Sequence, residues 1–381
     1  MFGGEDICSP HRVSERPLLP ESFPKGQIQP AHDQLSPFDA GFAFDFLTDA
    51  TPARALVTIQ PMSVDLEKTR VLVTGGAGFL GSAVHRVLAE RGATDVVVPR
   101  SRDYDLTDRA ATMKLFDEAR PGLVIHLAAR VGGIGANMEH PAEIYLANLL
   151  MGTYVIEEAR RTGAVKTLLV GTICSYPKFT PVPFSEENLW DGYPEETNAP
   201  YGIAKKALLV HAQANRDQYG QNSIYVLPAN LYGPGDKFNE SVSHVIPALV
   251  KKFVDAKRTS ASHVTVWGTG TATREFLYVD DAATGIIDAA QRYDGAEPVN
   301  LGTSEEISIS DLAELIAKLV GFQGDLEWDT SRPDGQPRRR IDASRARELF
   351  GFEARVSLEE GLRRTIAYYE ANPGEAEAAT F

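Results

Sequence analysis

The feature that most constrains this chain is a glycine-rich loop between a short apolar strand and a helix. Residues 70–74 have the pattern of a buried strand, and Gly75, Gly78 and Gly81 follow in a G-x-x-G-x-x-G spacing that opens a helix. The glycines permit a tight turn and close approach of the backbone to a pyrophosphate, and the helix N-terminus offers free N–H groups. A glycine pattern alone is a weak signal, but the strand–loop–helix context indicates a dinucleotide site.

Apolar strand segments alternate with helical segments after this loop. The predicted strands cover 70–74, 95–99, 122–129, 166–172 and 223–230, and the predicted helices cover 82–91, 107–119, 142–162 and 201–219. Apolar runs that alternate with helices predict a parallel sheet covered on both faces. The fold class expected is therefore α/β, a Rossmann-type doubly wound parallel sheet, with a smaller C-terminal α/β substrate domain.

The proline content and the pattern of strands and helices predict where the domains begin and end. We expect a disordered or non-native extension over 1–65, because residues 1–61 hold 8 of the 23 prolines without a steady period. The cofactor-binding domain is expected over 66–235, with a strand and helix near 272–300 returning to it, and the substrate-binding domain over 236–375.

Composition excludes several classes of protein. The formal net charge of −14 opposes nucleic-acid binding, and no run of 18 apolar residues predicts a membrane helix. The two cysteines, Cys8 and Cys174, cannot form a disulfide framework, and the N-terminus does not have the pattern of a secretory signal. We therefore expect a cytoplasmic protein that binds neither nucleic acid nor membrane.

The end of the second predicted strand bears on the choice of dinucleotide. Arg100 and Arg102 favour a 2′-phosphate and hence NADP(H), whereas Asp103 could serve the ribose of NAD, and both arginines could be solvated surface charges. The rest of the cofactor would be lined by Asp105, Leu106, Leu127, Ala128 and Ala129.

Tyr201 and Lys205 form a candidate catalytic pair. Their i, i+4 spacing at a predicted helix start puts both on one helix face. A nearby ammonium should lower the pKa of the tyrosine and ease proton donation to a carbonyl that is being reduced. Thr172 ends the preceding strand, where its hydroxyl could bind the same carbonyl.

Several long segments carry a resemblance that is more specific than the glycine loop. The sequence resembles the extended short-chain dehydrogenase/reductase family, also called the NAD-dependent epimerase/dehydratase family, from about Arg70 to Asn372. The segments that carry it are HLAARVGGIGANMEHPAEIYLANL, GTICSYPK, ETNAPYGIAKK, LPANLYGPGDKF, SHVIPAL, VWGTGTATREFLYVDDAA and RPDGQPRR.

The resemblance implies an activity on a nucleotide sugar. It implies conversion of GDP-4-keto-6-deoxy-D-mannose to GDP-L-fucose by 3,5-epimerisation and NADPH-dependent reduction at C4, in a homodimer without a metal. It implies that Cys174 and His244 act as base and acid for epimerisation, whereas each residue alone fits a buried thiol or a helix-start histidine. The family's usual strand end is Ser-Ser-Cys, and here Ile173 replaces the second hydroxyl.

The resemblance also implies binding residues at both ends of the cleft. Toward the GDP-sugar these are Lys252, Trp267, Arg274 and Arg332, although surface ion pairs would explain the cations as well. Toward the cofactor they are Phe79, Leu80, Asn230, Leu231 and His244. The run 338–340 (Arg-Arg-Arg) is expected to be solvated.

Other activities remain open on the sequence. A GDP-mannose 3,5-epimerase would use a similar cysteine and general acid, whereas a 4,6-dehydratase requires an Asp-Glu pair where Ile173 and Cys174 stand. A protein of another class, a non-catalytic NADP sensor, would have no need of the proton relay at Tyr201, Lys205 and Cys174.

Overall fold

A computed structural model of the chain describes residues 64–239, 242–332 and 334–374. In these ranges the strands are β1 (Val71–Thr74), β2 (Val96–Val97), β3 (Leu123–His126), β4 (Lys166–Val170), β5 (Ser223–Pro228), β6 (Asn230–Tyr232), β7 (His263–Trp267), β8 (Thr273–Arg274), β9 (Phe276–Tyr278), β10 (Val299–Leu301), β11 (Ile307–Ser308), β12 (Asp325–Asp329) and β13 (Arg338–Arg339). The helices are α1 (Phe79–Glu90), α2 (Arg109–Ala119), α3 (Ile134–Glu139), α4 (Pro141–Thr162), α5 (Ala199–Tyr219), α6 (Val245–Thr259), α7 (Val279–Arg292), α8 (Ile309–Val320), α9 (Ser344–Phe350) and α10 (Leu358–Ala371).

A six-stranded parallel sheet forms the centre of the fold. Its strand order is β10-β5-β4-β3-β1-β2, and every neighbouring pair is parallel. Side chains of β1 alternate between two apolar layers, with Val71 and Val73 in one and Leu72 in the other. Helices cover both faces, which is why the strands are continuous apolar runs rather than alternating ones. The predicted Rossmann-type fold is confirmed.

The strand order also determines where a ligand can enter. From β1 the chain passes to β2 on one side and then to β3 on the other side of β1. The loops that leave the carboxyl ends of β1 and β3 therefore diverge and open a crevice, and in open α/β sheets this crevice is where ligands bind.

A second apolar cluster is built from side chains between Tyr232 and Tyr369. It includes residues of α6, α8 and α10, and the rings of Phe238 and Tyr369 stack in it with centroids 4.9 Å apart. The parallel pair β7–β12 and the three-stranded sheet β11-β8-β13 lie in this part of the chain. The pairing of β8 with β13 sets Arg274 opposite Arg339.

The predicted segments coincide with observed elements except for shifts of a few residues at their ends. The domain boundaries stay a prediction, and the extension expected over 1–65 lies outside the described residues except for its last two. Val64 at this end is buried in the large apolar cluster. No helix in the described ranges is long and apolar enough to cross a membrane.

Candidate active site

A cleft of about 1300 Å³ opens at the carboxyl ends of the sheet strands. It brings together all the predicted catalytic and cofactor residues and all but one of the predicted substrate residues. Those that line it are Gly75, Gly78, Phe79, Leu80, Gly81, Arg100, Arg102, Asp105, Leu106, Leu127, Ala128, Ala129, Thr172, Cys174, Tyr201, Lys205, Asn230, Leu231, His244, Lys252, Trp267 and Arg274.

The glycine loop forms one end of the cleft and leaves no room for side chains. Gly75 has a φ of +70°, and a Cβ there would lie 2.7 Å from the backbone nitrogen of Ala128. A Cβ on Gly81 would collide with the carbonyl oxygen of Gly75. Among the described residues, no side chain caps the start of α1, so its first N–H groups remain available. A loop of this kind fits a diphosphate.

The basic rim beside this loop contains the two arginines after β2. Arg100 and Arg102 are exposed, and the Nε atom of Arg102 lies 3.6 Å from the Asp103 carboxylate. Asp105 accepts hydrogen bonds from the Thr107 backbone at 2.9 Å and from its hydroxyl at 2.7 Å. The carboxylates near the rim thus already have partners, whereas the guanidinium of Arg100 is open to a phosphate.

Tyr201 and Lys205 lie one turn apart on a buried face of α5. The Nζ atom of Lys205 donates to the Val170 carbonyl at 3.0 Å and lies 5.9 Å from the centre of the Tyr201 ring. Burial lowers the pKa of Lys205 to about 8. The expectation that the ammonium lowers the pKa of Tyr201 is wrong, because burial, and then the charge of Cys174, raise that pKa.

Thr172 and Cys174 lie at the end of β4, on either side of the start of a short 3₁₀ helix, Ile173–Ser175. The Thr172 hydroxyl accepts a hydrogen bond from the Cys174 backbone at 3.2 Å. The Sγ atom of Cys174 lies 3.8 Å from Oδ1 of Asn198 and 3.5 Å from Nη1 of Arg339. Ile173 is buried in the apolar core beneath them, where a hydroxyl would need a partner.

His244 is the residue before α6, and within the described part of the chain its side chain makes no capping hydrogen bond. Its side chain is accessible from the cleft, and the protein around the cleft removes part of the surrounding water. This desolvation lowers the pKa of His244 to about 4, and repulsion from Lys237 and Arg339 adds to the effect. The imidazole is therefore neutral at pH 7.

The far end of the cleft carries the predicted substrate residues. Lys252 Nζ lies 5.5 Å and Arg332 Cζ 4.7 Å from the centre of the Trp267 ring, which is half exposed. Arg332 does not line the cleft, and it also lies 3.6 Å from Asp329. Arg274 donates to the Asp334 carbonyl at 2.9 Å, and burial together with Arg339 lowers its pKa to about 10.

Sequence reasoning missed several polar cleft residues, among them Arg339, Asp236 and Lys237. The expectation that 338–340 is solvated is wrong for Arg339, whose residue is only 6% exposed, because strand alternation turns it away from its exposed neighbour Arg338. Asp236 and Lys237, in the GPGDKF segment, also line the cleft. Successive side chains in a strand point to opposite faces, so a strand through this run would turn Arg339 away from Arg338. That alternation is the signal that could have identified Arg339.

Comparison with known proteins places this cleft in a family. A family model described as "NAD dependent epimerase/dehydratase family" matches residues 71–302. The chain belongs to the NAD dependent epimerase/dehydratase family. Proteins with similar sequences include "Probable GDP-L-fucose synthase 1" of Oryza sativa subsp. japonica, 44% identical over 80% of this chain and 92% of that one. "GDP-L-fucose synthase 1" of Arabidopsis thaliana is 43% identical over 81% of this chain and 96% of that one.

A solved structure is similar to most of the chain. It is the "gdp-l-fucose synthetase from Naegleria fowleri bound to NADP", with a TM-score of 0.75 and 30% sequence identity. The match covers 83% of this chain and 98% of that one. Among the described residues, no group of three His, Cys, Asp or Glu side chains could hold a metal ion.

Proposed function

We propose that this chain converts GDP-4-keto-6-deoxy-D-mannose to GDP-L-fucose by 3,5-epimerisation followed by NADPH-dependent reduction of the C4 ketone. The observation that carries the proposal is that one cleft contains two proton-handling groups, Cys174 and His244, beside the Tyr201–Lys205 pair. Proteins that are 43–44% identical carry the name GDP-L-fucose synthase.

The cofactor proposed is NADP(H), which supplies the hydride for the reduction when it is bound. The loop at Gly75–Gly81 accommodates its diphosphate, since added Cβ atoms would fill that space. Arg100 and Arg102 would hold the 2′-phosphate through charge-assisted hydrogen bonds. The NADP-bound relative supports the same choice.

Epimerisation requires groups that move protons at carbon. The hydrogens at C3 and C5 flank the C4 ketone, which acidifies them. Cys174 would remove a proton from one face, and His244 would return one to the other. His244 would take up a proton from solvent, donate it to carbon as the imidazolium and return to the neutral imidazole, and the Tyr201 and Thr172 hydroxyls would stabilise the enolate.

Reduction at C4 requires a proton for the new hydroxyl. Tyr201 supplies it, because its raised pKa keeps the phenol protonated throughout the neutral range. Lys205 carries its positive charge below about pH 8 and stabilises the phenolate that remains.

The nucleotide end of the substrate would bind at the far end of the cleft. The half-exposed Trp267 ring offers a face for the guanine base, and Lys252 and Arg332 lie against it. Arg274 would contact the diphosphate, for which a guanidinium is geometrically suited.

Three further features belong to the proposal. Residues 66–235, with 272–300, would bind the cofactor, and 236–375 would bind the sugar nucleotide. The protein would act in the cytoplasm as a homodimer. Exposed apolar side chains on α4 and α5, namely Tyr145, Leu146 and Val210, support the dimer.

Product analysis with GDP-4-keto-6-deoxymannose and NADPH tests the proposal. GDP-L-fucose should form with one NADPH consumed per sugar. Epimerised product without net NADPH consumption would instead indicate a GDP-sugar 3,5-epimerase. NADPH binding without turnover would indicate a sensor.

A further inference from the structure

Arg339 places a guanidinium beside the sulfur of Cys174. The strand β13 alternates, so Arg338 points outward to an ion pair with Glu306 while Arg339 points into the cleft. The Nη1 atom of Arg339 lies 3.5 Å from Sγ of Cys174. No role for Arg339 follows from the reaction described above.

The position of this guanidinium is fixed by the chain that follows Cys174. Its Nε atom donates to Oε1 of Gln336 at 3.1 Å. The amide of Gln336, which is buried, in turn donates to the carbonyl oxygens of Pro177 at 3.3 Å and Lys178 at 2.8 Å. Arg339 is therefore held against the turn that carries the thiol.

The electrostatic surroundings of Arg339 would stabilise a negative charge beside its guanidinium. Among the described residues, its side chain contacts are Gln336 and Cys174, and no carboxylate forms an ion pair with it. The charged or titratable neighbours that feel its field, Arg274 and His244, are repelled by it in their cationic forms. A buried cation without a counter-charge is costly, and the sulfur is the contacting group that can carry negative charge.

The sulfur contacts one acceptor besides the guanidinium donor. Oδ1 of Asn198 is 3.8 Å from Sγ. The amide orientation is set by its other bonds, because its Nδ2 donates to Glu195 at 2.7 Å and its Oδ1 accepts from Asn137 at 3.1 Å. A thiol can thus donate to Asn198, and a thiolate can accept from Arg339.

We propose that Arg339 is a positioning residue that stabilises negative charge on the Cys174 sulfur and so keeps the thiolate available as the epimerisation base. The thiolate takes a proton from the carbon next to the ketone, and the C–H electron pair moves to the carbonyl oxygen as an enolate. Cys174 is then a neutral thiol that donates to Asn198. The catalytic part rests on the proposed function, whereas the charge on the thiol is a property of the free enzyme.

Alkylation by iodoacetamide tests the charge without any substrate. In a Cys8→Ser background Cys174 is the one remaining cysteine. Arg339→Gln should lower the alkylation rate at pH 7 by about tenfold, while the rate at pH 9.5 stays within about twofold of the parent, because only the thiolate reacts. Arg339→Lys should recover part of the rate at pH 7. Arg338→Gln is the matched control and should change neither rate.

Two outcomes would overturn the proposal. One is an unchanged alkylation rate at pH 7 in Arg339→Gln. A variant that only weakens binding of the GDP-sugar would give this result, and it too would contradict the proposal. The other is an equal loss at both pH values, which indicates a purely structural role. If Arg339→Gln does not fold, Gln336→Leu loosens the guanidinium and should lower the rate at pH 7 by about threefold, and no change there contradicts the proposal. None of these results depends on formation of GDP-L-fucose.

Discussion

The Nζ atom of Lys205 lies 5.9 Å from the centre of the Tyr201 ring, and burial shifts the pKa values of the two groups in opposite directions. The phenol gains a raised pKa, and the lysine a lowered one of about 8. Between pH 6 and 8 the pair therefore consists of a protonated phenol and a cation, which is the state that can donate a proton to a carbonyl oxygen.

The pH dependence of reduction follows from Lys205. As pH rises through about 8, Lys205 loses its charge, and the rate of ketone reduction should fall. Lys205→Met should be slower by about 10²–10⁴-fold and should lack this descending limb. Lys206→Met is the control, since Lys206 is buried outside the cleft lining and donates to Leu189. A wild-type rate that is flat from pH 7 to 9.5 would contradict the assignment.

Cofactor preference should depend on the basic rim. The Arg100→Ala/Arg102→Ala double variant should lose about 2 kcal/mol of 2′-phosphate binding, so the NADPH-to-NADH ratio of kcat/KM should fall about thirtyfold. Arg109→Ala, outside the cleft lining, should keep the wild-type ratio. An unchanged ratio in the double variant would show that both arginines are only surface charges.

The N-terminal boundary of the fold can be tested by truncation. A chain that starts at Met62 should fold and keep activity, because among the described residues each one that lines the cleft is Gly75 or follows it. A chain that starts at Lys68 also loses the buried Val64 and Leu66 and should be less stable by on the order of 3 kcal/mol. Thermal unfolding measures both. Insoluble protein from the Met62 start would show that residues 1–61 are needed for folding.

The buried carboxyl of Asp236 should make the free energy of unfolding depend on pH. Burial raises its pKa from 3.8 to about 7, and its Oδ2 has no hydrogen-bond partner among the described residues. Between pH 3.8 and 7 the folded chain binds a proton that the unfolded chain releases, so this carboxyl's contribution to the free energy of unfolding falls as pH rises.

The corresponding variant is Asp236→Asn. Relative to wild type, its free energy of unfolding in urea should rise by about 2.5 kcal/mol from pH 5 to pH 7.5. Asp325→Asn, at an exposed position, should show no such trend. A difference between Asp236→Asn and wild type that stays constant with pH would contradict the role of burial.

Much of this fold could be predicted from the sequence, because the patterns that indicate it each span only a few residues. The strand–loop–helix pattern at Gly75–Gly81 and the i, i+4 spacing of Tyr201 and Lys205 each fix a conformation within a few residues. The strand order of the sheet then brings these local features to one edge, as the parallel topology requires.

Other parts of the site depend on contacts that are distant along the chain. Arg339 contacts Cys174, which lies 165 residues earlier in the chain. Because an arginine stands on either side of Arg339, the sequence pattern there is that of a solvated basic run. The pKa of Tyr201 depends on how completely the phenol is buried, and spacing from Lys205 does not report burial.

The central claim is that one cleft performs epimerisation and reduction with separate groups, and solvent deuterium incorporation tests it most directly. Incubated with the keto sugar in deuterated water, Cys174→Ser should lose exchange at C3 and C5 by about 10²–10⁴-fold while still binding NADPH. Tyr201→Phe should retain part of the exchange while net reduction falls. Exchange at the wild-type rate at both carbons in Cys174→Ser would mean that Cys174 is a packed thiol, and the epimerase half of the account would be wrong.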